Sequence, residues 1–477
     1  MKKKIIYFGT LISMFLVLNA CSKDDDPIVE PEVQNPVPEV PQALDLEKYQ
    51  NGSGVMLQTF YWDVEPRGEW WDLLNQKVEG WADAGIDRLW LPVATKGQSG
   101  GYSMGYDPSD YFDFGEFNQH GTVETRFGSR AELESLISNA HANDLEVIAD
   151  IVINHNSGGG EEFNPYRDKE TYTLFDEEHG NASGMFNRNY EDFYPNSVSD
   201  YDEGSLFYPE QNLDHHREHV KNWLWKNDNS VAKYYQNVMG FDGWRFDYVQ
   251  GFEPWVIKEW MAEVGGFAVG ENWTGNGSEL ETWVEETGIS AFDFACFYKM
   301  DEAFDRNKDL NYLGRDMLRK TKPEQAVTFV ANHDTEKDDN TDNNISTPNK
   351  MKAYAYILTH DGYPTLFYSD YENSNFQDEL KKLISIHNSL ATGDVEVLFN
   401  DTDEYVMKRA GNGTNPGLIL YINISGNTKR REVITNWTGK KLMDYSGQTS
   451  YSPNVNTDGR VSIEAPANSY SIYSIME

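Results

Sequence analysis

Short apolar segments alternate with amphipathic ones along most of the chain. Between the apolar segments lie stretches with helical periodicity, such as 130–142, 220–238 and 255–264. Buried strands that alternate with helices form parallel βαβ units, and eight such units predict a closed (β/α)₈ barrel. The predicted strands are 55–60, 86–91, 147–153, 241–246, 267–269, 291–294, 327–331 and 365–368.

The pattern changes at two places along the chain. The segment 156–212 is rich in Gly, Asn, Asp and Tyr and has little periodicity, so we expect a small domain inserted after strand three. The barrel then comprises 52–155 and 213–392. Short alternating segments with Gly, Asn and Pro turns predict an antiparallel β-sandwich over 393–477. Its predicted strands include 405–409, 417–422, 461–464 and 469–475.

The first 51 residues differ from the rest. Three lysines precede an apolar run over 5–18, which is typical of an export signal occupying 1–20. The run ends in Leu18-Asn19-Ala20-Cys21, which resembles a bacterial lipobox, so Cys21 is expected to be acylated. An ordinary signal peptide or a membrane anchor is the alternative. The acidic, proline-rich segment 21–51 cannot bury apolar surface and is predicted to be an extended tether.

The acidic run behind Cys21 bears on where the protein resides. Lys23-Asp24-Asp25-Asp26 resembles the surface-export signals of some Gram-negative lipoproteins, although a solvated spacer explains it equally well. We therefore expect an outer-membrane lipoprotein exposed at the cell surface, with a periplasm-facing orientation as the alternative. No second apolar run is long enough to span a bilayer.

Composition narrows the classes of function. The formal net charge is −38, which opposes binding to phosphate backbones and excludes nucleic acid as the main partner. Aromatic residues make up 14% of the chain, which fits a large core and would also suit stacking on sugar rings. With only two cysteines no disulfide framework is expected, and Cys296 is predicted to be a core thiol in an apolar strand.

Polar residues end four of the predicted barrel strands. Because barrel active sites lie at the carboxyl ends of the strands, these residues are expected to meet at one rim. Hydrolysis of a glycosidic bond needs two carboxyl groups, one protonated and one ionised. Asp247 beside Arg245 fits the ionised one, and Glu271 at the end of an apolar strand fits the acid. The strand ends are 150–155, 243–247, 269–271 and 332–334.

Two other motifs point to different chemistry. The segments 97–101 and 101–105 both match G-x-S-x-G, but they overlap in a glycine loop closed by Pro108, unlike a nucleophile elbow. His215 and His219 have the spacing of metal ligands on a helix. Without a third ligand, an ordinary helix face is the preferred interpretation.

The four strand ends together resemble the signature regions of glycoside hydrolase family 13, the α-amylase family. The similarity extends from about residue 52 to the end of the chain. The segments 100–107 and 292–302 are particularly similar to archaeal- and plant-type α-amylases.

The resemblance implies a role for each matching residue. Asp247 would be the nucleophile, Glu271 the acid/base, and Asp334 the third carboxylate, which holds sugar hydroxyls. Arg245 would orient Asp247. The remaining residues implied to bind substrate are Tyr106, His155, His333 and Gln250.

The resemblance also implies a structural calcium ion between barrel and insert, since oxygen ligands suit Ca²⁺. This chain departs from the family at Asn212, where relatives have aspartate, and at Gln250, where many members have lysine. The first change removes a charge from the calcium site, and the second alters a contact with the leaving-group sugar. The matching ligands are Asn154, Asp202, the carbonyl of Gly204, Asn212 and the carbonyl of Gly251.

The expected protein is a monomeric, endo-acting α-amylase that cleaves α-1,4 bonds of starch-like polymers with retention of configuration. Other family activities remain open, namely a transglycosylase, a maltooligosaccharide-forming enzyme or a branch-cleaving enzyme. A glycan-binding lipoprotein with an inactive barrel is the alternative from another class. The complete set of three carboxylates argues against it.

Overall fold

Eight parallel strands close into a barrel in this computed structural model, which describes residues 41–49, 53–200, 210–336 and 344–477. Residues 42–477 form one compact unit. Each barrel strand pairs with its neighbours in chain order, and the last pairs with the first, as predicted. The strands are β1 Met56–Gln58, β2 Arg88–Trp90, β3 Glu146–Ile151, β4 Gly243–Phe246, β5 Phe267–Gly270, β6 Ser290–Phe292, β7 Ala326–Phe329 and β8 Tyr363–Phe367.

The barrel forms because its strands are buried on both faces. All four residues of β4 are buried, as are all five of β8. Strands covered on both faces carry near-continuous apolar runs, the pattern that makes all eight recognisable in the sequence.

Helices cover the outside of the barrel. The helix over Arg130–Ala142 begins at a capping box formed by Ser129 and Glu132, and its buried residues lie on one face. The α-helices are α1 Trp70–Asn75, α2 Val78–Asp83, α3 Arg130–Ala142, α4 Glu218–Lys221, α5 Val231–Tyr234, α6 Pro254–Val264, α7 Gly277–Thr287, α8 Phe294–Asp301, α9 Leu318–Thr321, α10 Thr347–Ile357, α11 Tyr368–Tyr371 and α12 Gln377–Leu390.

Shorter turns complete the helical layer. The 3₁₀ turns are Leu46–Tyr49, Gly100–Tyr102, Tyr190–Asp192, Val249–Gly251, Leu310–Gly314 and Pro323–Gln325, and the π-helical turns are Asn222–Lys226, Tyr235–Met239 and Glu302–Arg306. In the described part of the chain, no helix combines the length and the apolar character that crossing a bilayer requires.

Three local predictions are wrong. The helix predicted over 220–238 is broken at 227–230, because this Asn-Asp-Asn-Ser segment forms a turn in which the backbone N–H of Ser230 donates to the Asn227 carbonyl. The strand predicted over 291–294 ends early, because Asp293 caps α8 through the backbone N–H of Cys296. Cys296 is therefore buried in a helix rather than in a strand, although it does lie in the core.

The segment predicted as a tether also differs in its last part. Leu44 is buried, Leu46–Tyr49 forms a 3₁₀ turn, and Gln42 exchanges two backbone hydrogen bonds with Glu477. The chain therefore joins the folded body from residue 42, because apolar side chains resume there. The predicted export signal, Cys21 and the acidic run lie outside the described residues.

The insert after β3 contains a hairpin of two strands, Gly160–Asn164 and Lys169–Leu174. A second small hairpin, Lys96–Gly97 with Pro108–Asp110, precedes it and carries the loop that reaches the barrel rim.

The C-terminal part is an antiparallel sandwich, as predicted. A five-stranded sheet of order β9-β10-β11-β15-β13 faces the pair β12-β14, and a separate apolar cluster lies between them. Three of the strands were not predicted: β9, β12 and β13. The strands are β9 Val395–Asn400, β10 Glu404–Arg409, β11 Leu418–Asn423, β12 Lys429–Ile434, β13 Leu442–Asp444, β14 Arg460–Ala465 and β15 Ser469–Ile475.

Candidate active site

Three carboxylates meet at the carboxyl end of the barrel. Asp247 directly follows β4, Glu271 directly follows β5, and Asp334 follows β7. Arg245 joins the first two, because its Nη1 lies 2.7 Å from Asp247 and its Nη2 lies 2.6 Å from Glu271. The two carboxyl groups therefore contact adjacent nitrogens of one guanidinium.

A fourth carboxylate, Asp150 on β3, also contacts Arg245. Its Oδ1 lies 2.9 Å from Arg245 Nη1. Its Oδ2 accepts hydrogen bonds from the Trp90 indole at 3.1 Å and the Tyr106 hydroxyl at 2.8 Å. Asp150 thus balances the buried guanidinium and fixes the Tyr106 ring. Sequence reasoning placed Asp150 at the strand end but gave it no role.

Burial raises the pKa of both carboxyl groups that contact Arg245. The pKa of Glu271 lies well above its usual value, because burial and the negative charges of Asp247 and Asp334 outweigh the opposing positive charge of Arg245. Burial also raises the pKa of Asp247, but Arg245 and a hydrogen bond with Glu271 oppose the rise. Arg245 favours the ionised form of Asp247, as expected, but burial is the larger influence on its pKa. Glu271 is the better acid candidate of the pair.

Tyr248, which sequence reasoning missed, holds the second oxygen of Glu271. Its backbone N–H donates to Glu271 Oε2 at 3.1 Å. The residue adopts a left-handed conformation with φ of +42°, which is rare for a non-glycine residue and turns the N–H towards Glu271.

Two histidines lie beside the carboxylates and are neutral. Burial lowers the pKa of His155 to about 4 and that of His333 to about 3, where the positive charge of Arg245 contributes. His155 Nε2 lies 3.0 Å from the carbonyl of Tyr106, and His333 Nε2 lies 3.2 Å from Asp334. Both rings can therefore act as uncharged hydrogen-bonding groups.

Parallel aromatic rings form one wall of the site. Tyr106 and His333 stack at 5.4 Å with an interplanar angle of 4°. Trp62 lies parallel to both and is 43% exposed, so its face is open to the cleft. Sequence reasoning found Tyr106 but missed Trp62, whose signal was its place two residues after the predicted strand 55–60.

The carboxylates line a cleft of about 580 Å³. Its other side carries Trp273, whose ring stacks on Phe294 at 4.7 Å and whose indole donates to the Tyr298 hydroxyl. Gln250 also lines the cleft and donates to the carbonyl of Trp273. The signal for Trp273 was its place two residues after Glu271. The cleft thus contains every residue predicted to bind substrate except the buried Arg245.

The structure brings three of the five predicted calcium ligands together. Asn154 and Asn212 are both buried, with Asn154 Nδ2 3.5 Å from Asn212 Oδ1. Gly251 lies against the same amide, since a Cβ there would sit 2.1 Å from Asn154 Oδ1. Asp202 and Gly204 lie outside the described residues. Over the described ranges, no three His, Cys, Asp or Glu side chains cluster as metal ligands.

Local hydrogen bonds account for the histidine pair and the G-x-S-x-G segments that pointed to different chemistry. His215 bonds the Ile153 carbonyl, whereas His219 bonds Asp192, so the two do not share a site. The hydroxyls of Ser99 and Ser103 both donate to Asp107, which ties the glycine loop together.

Comparison with known proteins agrees with this geometry. Residues 67–259 match the model of the α-amylase catalytic domain, and residues 418–474 match that of the α-amylase C-terminal domain. The chain is 27% identical to a glucan 1,4-α-maltohexaosidase from a Bacillus species over 90% of this chain and 94% of that protein. It is 28% identical to an α-amylase from Geobacillus stearothermophilus, covering 88% and 87% of the two chains.

A plant protein and a solved structure extend the comparison. A probable α-amylase of Arabidopsis thaliana is 29% identical over 70% of this chain and 80% of its own length. The crystal structure of an Anoxybacillus α-amylase superposes with a TM-score of 0.67 at 20% identity, covering 89% of this chain and 97% of the other. This chain is a glycoside hydrolase and belongs to the α-amylase family.

Proposed function

We propose that the protein is an endo-acting α-amylase that hydrolyses α-1,4-glucosidic bonds in starch- or glycogen-like glucans. The observation that carries this proposal is the trio Asp247, Glu271 and Asp334 in an open cleft with exposed Trp62 and Trp273 on its walls. A cleft with aromatic surfaces on its walls suits a glucan chain, because flat rings pack on sugar faces.

The first step would be attack by Asp247 on the anomeric carbon. Glu271, kept protonated by burial, would give its proton to the glycosidic oxygen as the bond breaks. A covalent glucosyl ester on Asp247 results. Both carboxyl groups contact the Arg245 guanidinium, a closeness that suits the separation of about 5–5.5 Å in retaining enzymes.

The second step would reverse the roles. Glu271, now ionised, would take a proton from water, which attacks the anomeric carbon and releases Asp247. Asp334 and His333 would bind hydroxyls of the distorted sugar, with Tyr106 stacked against the ring. Two displacements at one carbon return the α configuration.

A digestion experiment tests this proposal. The purified protein is incubated with soluble starch, pullulan and a cyclodextrin, and the products are separated by size and anomeric form. An α-amylase releases a spread of α-anomeric maltooligosaccharides from starch early in the reaction. Failure to shorten starch would contradict the proposal.

A maltooligosaccharide-forming enzyme is the second candidate. The relative named a maltohexaosidase supports it, as does Gln250 at the leaving-group side of the cleft. A single dominant oligosaccharide in the starch digest would favour it, whereas a broad early distribution would favour the first candidate.

We also propose a structural Ca²⁺ at the junction of barrel and insert. Asn154, Asn212 and the Gly251 carbonyl would contribute oxygen ligands, with Asp202 and the Gly204 carbonyl completing the set. Support comes from the buried side chains of Asn154 and Asn212, which contact each other, and from Gly251, which lies against Asn154 Oδ1. The ion would hold the insert against the barrel and would take no part in bond cleavage.

Finally, we propose that the protein is a monomeric lipoprotein of the outer membrane, anchored through Cys21 and exposed at the cell surface. The lipobox-like sequence and the acidic run behind it support this location. Surface exposure is tested by treating whole cells with a protease and following loss of the protein.

A further inference from the structure

Gln58, the last residue of β1, contacts the active site through His333. Its side chain is buried, with 1% of the residue exposed, and its Nε2 lies 2.9 Å from His333 Nδ1. An amide nitrogen can only donate a hydrogen bond, so Nδ1 must be the acceptor. The ring proton of a neutral His333 then lies on Nε2, which faces Asp334 at 3.2 Å.

The orientation of the His333 ring is fixed independently of Gln58. Phe60 lies 4.9 Å from the ring and Trp90 lies 5.7 Å away at a steep angle, while Tyr106 stacks parallel to it. Substitution of Gln58 is therefore expected to change the hydrogen-bonding state of His333 more than its position.

The charge of His333 matters because the transition state of glycoside cleavage is itself cationic. A neutral ring can donate to a sugar hydroxyl without repelling the developing positive charge. Of the charged groups around the ring, Arg245 disfavours the imidazolium, while Asp150 and Asp334 favour it, and the Tyr106 face is uncharged. Gln58 opposes protonation because its donor occupies Nδ1.

We propose that Gln58 is a positioning residue, which keeps His333 a neutral hydrogen-bond donor through Nε2. This inference rests on the proposed glucan hydrolysis for its effect on rate, but the state of the ring can be measured without turnover.

Two variants of similar length separate the roles of Gln58. Gln58→Met places no hydrogen-bond acceptor beside His333 Nδ1, and Asp334 still favours the ring proton on His333 Nε2. The kcat of this variant should therefore fall by no more than about 10-fold. In Gln58→Glu the carboxylate accepts from Nδ1–H. His333 is then either an imidazolium or a neutral ring with a bare Nε2, so kcat should fall by about 100-fold or more.

Three measurements are made on each protein. They are kcat and KM on maltoheptaose at a series of pH values, the melting temperature, and ¹⁵N spectra of histidine-labelled protein. The His333 signals are assigned by their absence in His333→Gln. The wild type should show an unprotonated Nδ1 throughout the pH range of activity, and Gln58→Glu a protonated one. The loss in Gln58→Glu should appear in kcat more than in KM, without a matching fall in melting temperature.

Two results would overturn the inference. One is a wild-type spectrum with a proton on Nδ1, and the other is a Gln58→Glu enzyme as active as Gln58→Met at every pH. If the wild type fails to hydrolyse maltoheptaose, the proposed function fails, while the spectrum still decides the state of His333.

Discussion

Asp247 and Glu271 have nearly the same surroundings, yet the proposed mechanism gives them opposite protonation states. Glu271 is buried and Asp247 is partly buried, and both contact Arg245. Burial is the largest cause of the raised pKa in both groups. The hydrogen bond from Arg245 limits the rise at Asp247, whereas the charges of Asp247 and Asp334 add to the rise at Glu271. Small differences between neighbouring carboxyl groups therefore assign the acid and the nucleophile.

Substitution of either carboxylate should separate the two roles. Asp247→Asn should lower kcat by about four orders of magnitude on any substrate, because it removes the nucleophile. Glu271→Gln should lose about 10²–10⁴-fold on starch, where the leaving group needs a proton. With α-maltosyl fluoride, whose leaving group needs no proton, Glu271→Gln should still form a maltosyl ester on Asp247. Stopped-flow release of fluoride measures this, and an active Asp247→Asn would contradict the assignment.

The raised pKa of Glu271 also predicts an effect on stability. Between the ordinary glutamate pKa and the raised one, the folded protein binds a proton that the unfolded chain lacks, so stability falls as pH rises. Glu271→Gln removes this penalty. Its melting temperature should exceed that of the wild type at neutral pH, and the gain should shrink as pH falls to about 4. Calorimetry at a series of pH values measures the difference, and a gain that grew at low pH would contradict the sign.

At the scale of elements, the strands that could be predicted are those whose burial leaves an apolar pattern in the sequence. All eight barrel strands were found because strands covered on both faces show apolar runs, and the site residues followed from the polar positions at their ends. The 220–238 helix was wrong because four polar residues at its centre prefer a turn. Trp62, Trp273, Gln58 and the N–H of Tyr248 were missed, because their importance depends on contacts made across the barrel.

The contact between insert and barrel gives a prediction about calcium. Because Asn154 follows β3 and Gly251 follows β4, an ion bound there would tie the insert to the strands next to His155. A ligand that binds only the folded state at a hundredfold excess over Kd adds about 2.7 kcal/mol. Chelation should therefore lower the melting temperature and then the activity, and added calcium should restore both.

Asn212→Asp tests whether the proposed pocket is responsible. It supplies a negative charge beside Asn154, so it should tighten calcium binding in isothermal titration and raise the melting temperature only when calcium is present. Asn227→Asp, in the turn between α4 and α5, is a charge-matched control that should leave calcium binding unchanged. Equal affinity in Asn212→Asp and the wild type would count against the pocket.

At the scale of the whole molecule, the barrel and the C-terminal sandwich share one apolar core. Tyr405 and Leu418 of the sandwich belong to the same apolar cluster as the barrel strands, and His360 bonds the Tyr405 hydroxyl at 2.9 Å. The chain enters this body beside its own end, where Gln42 pairs with Glu477. A tether attached at Cys21 would thus join the body at the sandwich.

The proposed anchor predicts where the protein is found in the cell. If Cys21 is acylated, the wild type should sediment with membranes and incorporate radiolabelled palmitate, because diacylated lipoproteins are held by more than one chain. Cys21→Ser should lose the label and either remain unprocessed or appear in the soluble fraction. Cys296→Ser is the matched control, since this thiol is buried in α8 and should not alter fractionation. A wild type found wholly in the soluble periplasm, without label, would refute the lipid anchor and leave the cleft chemistry untouched.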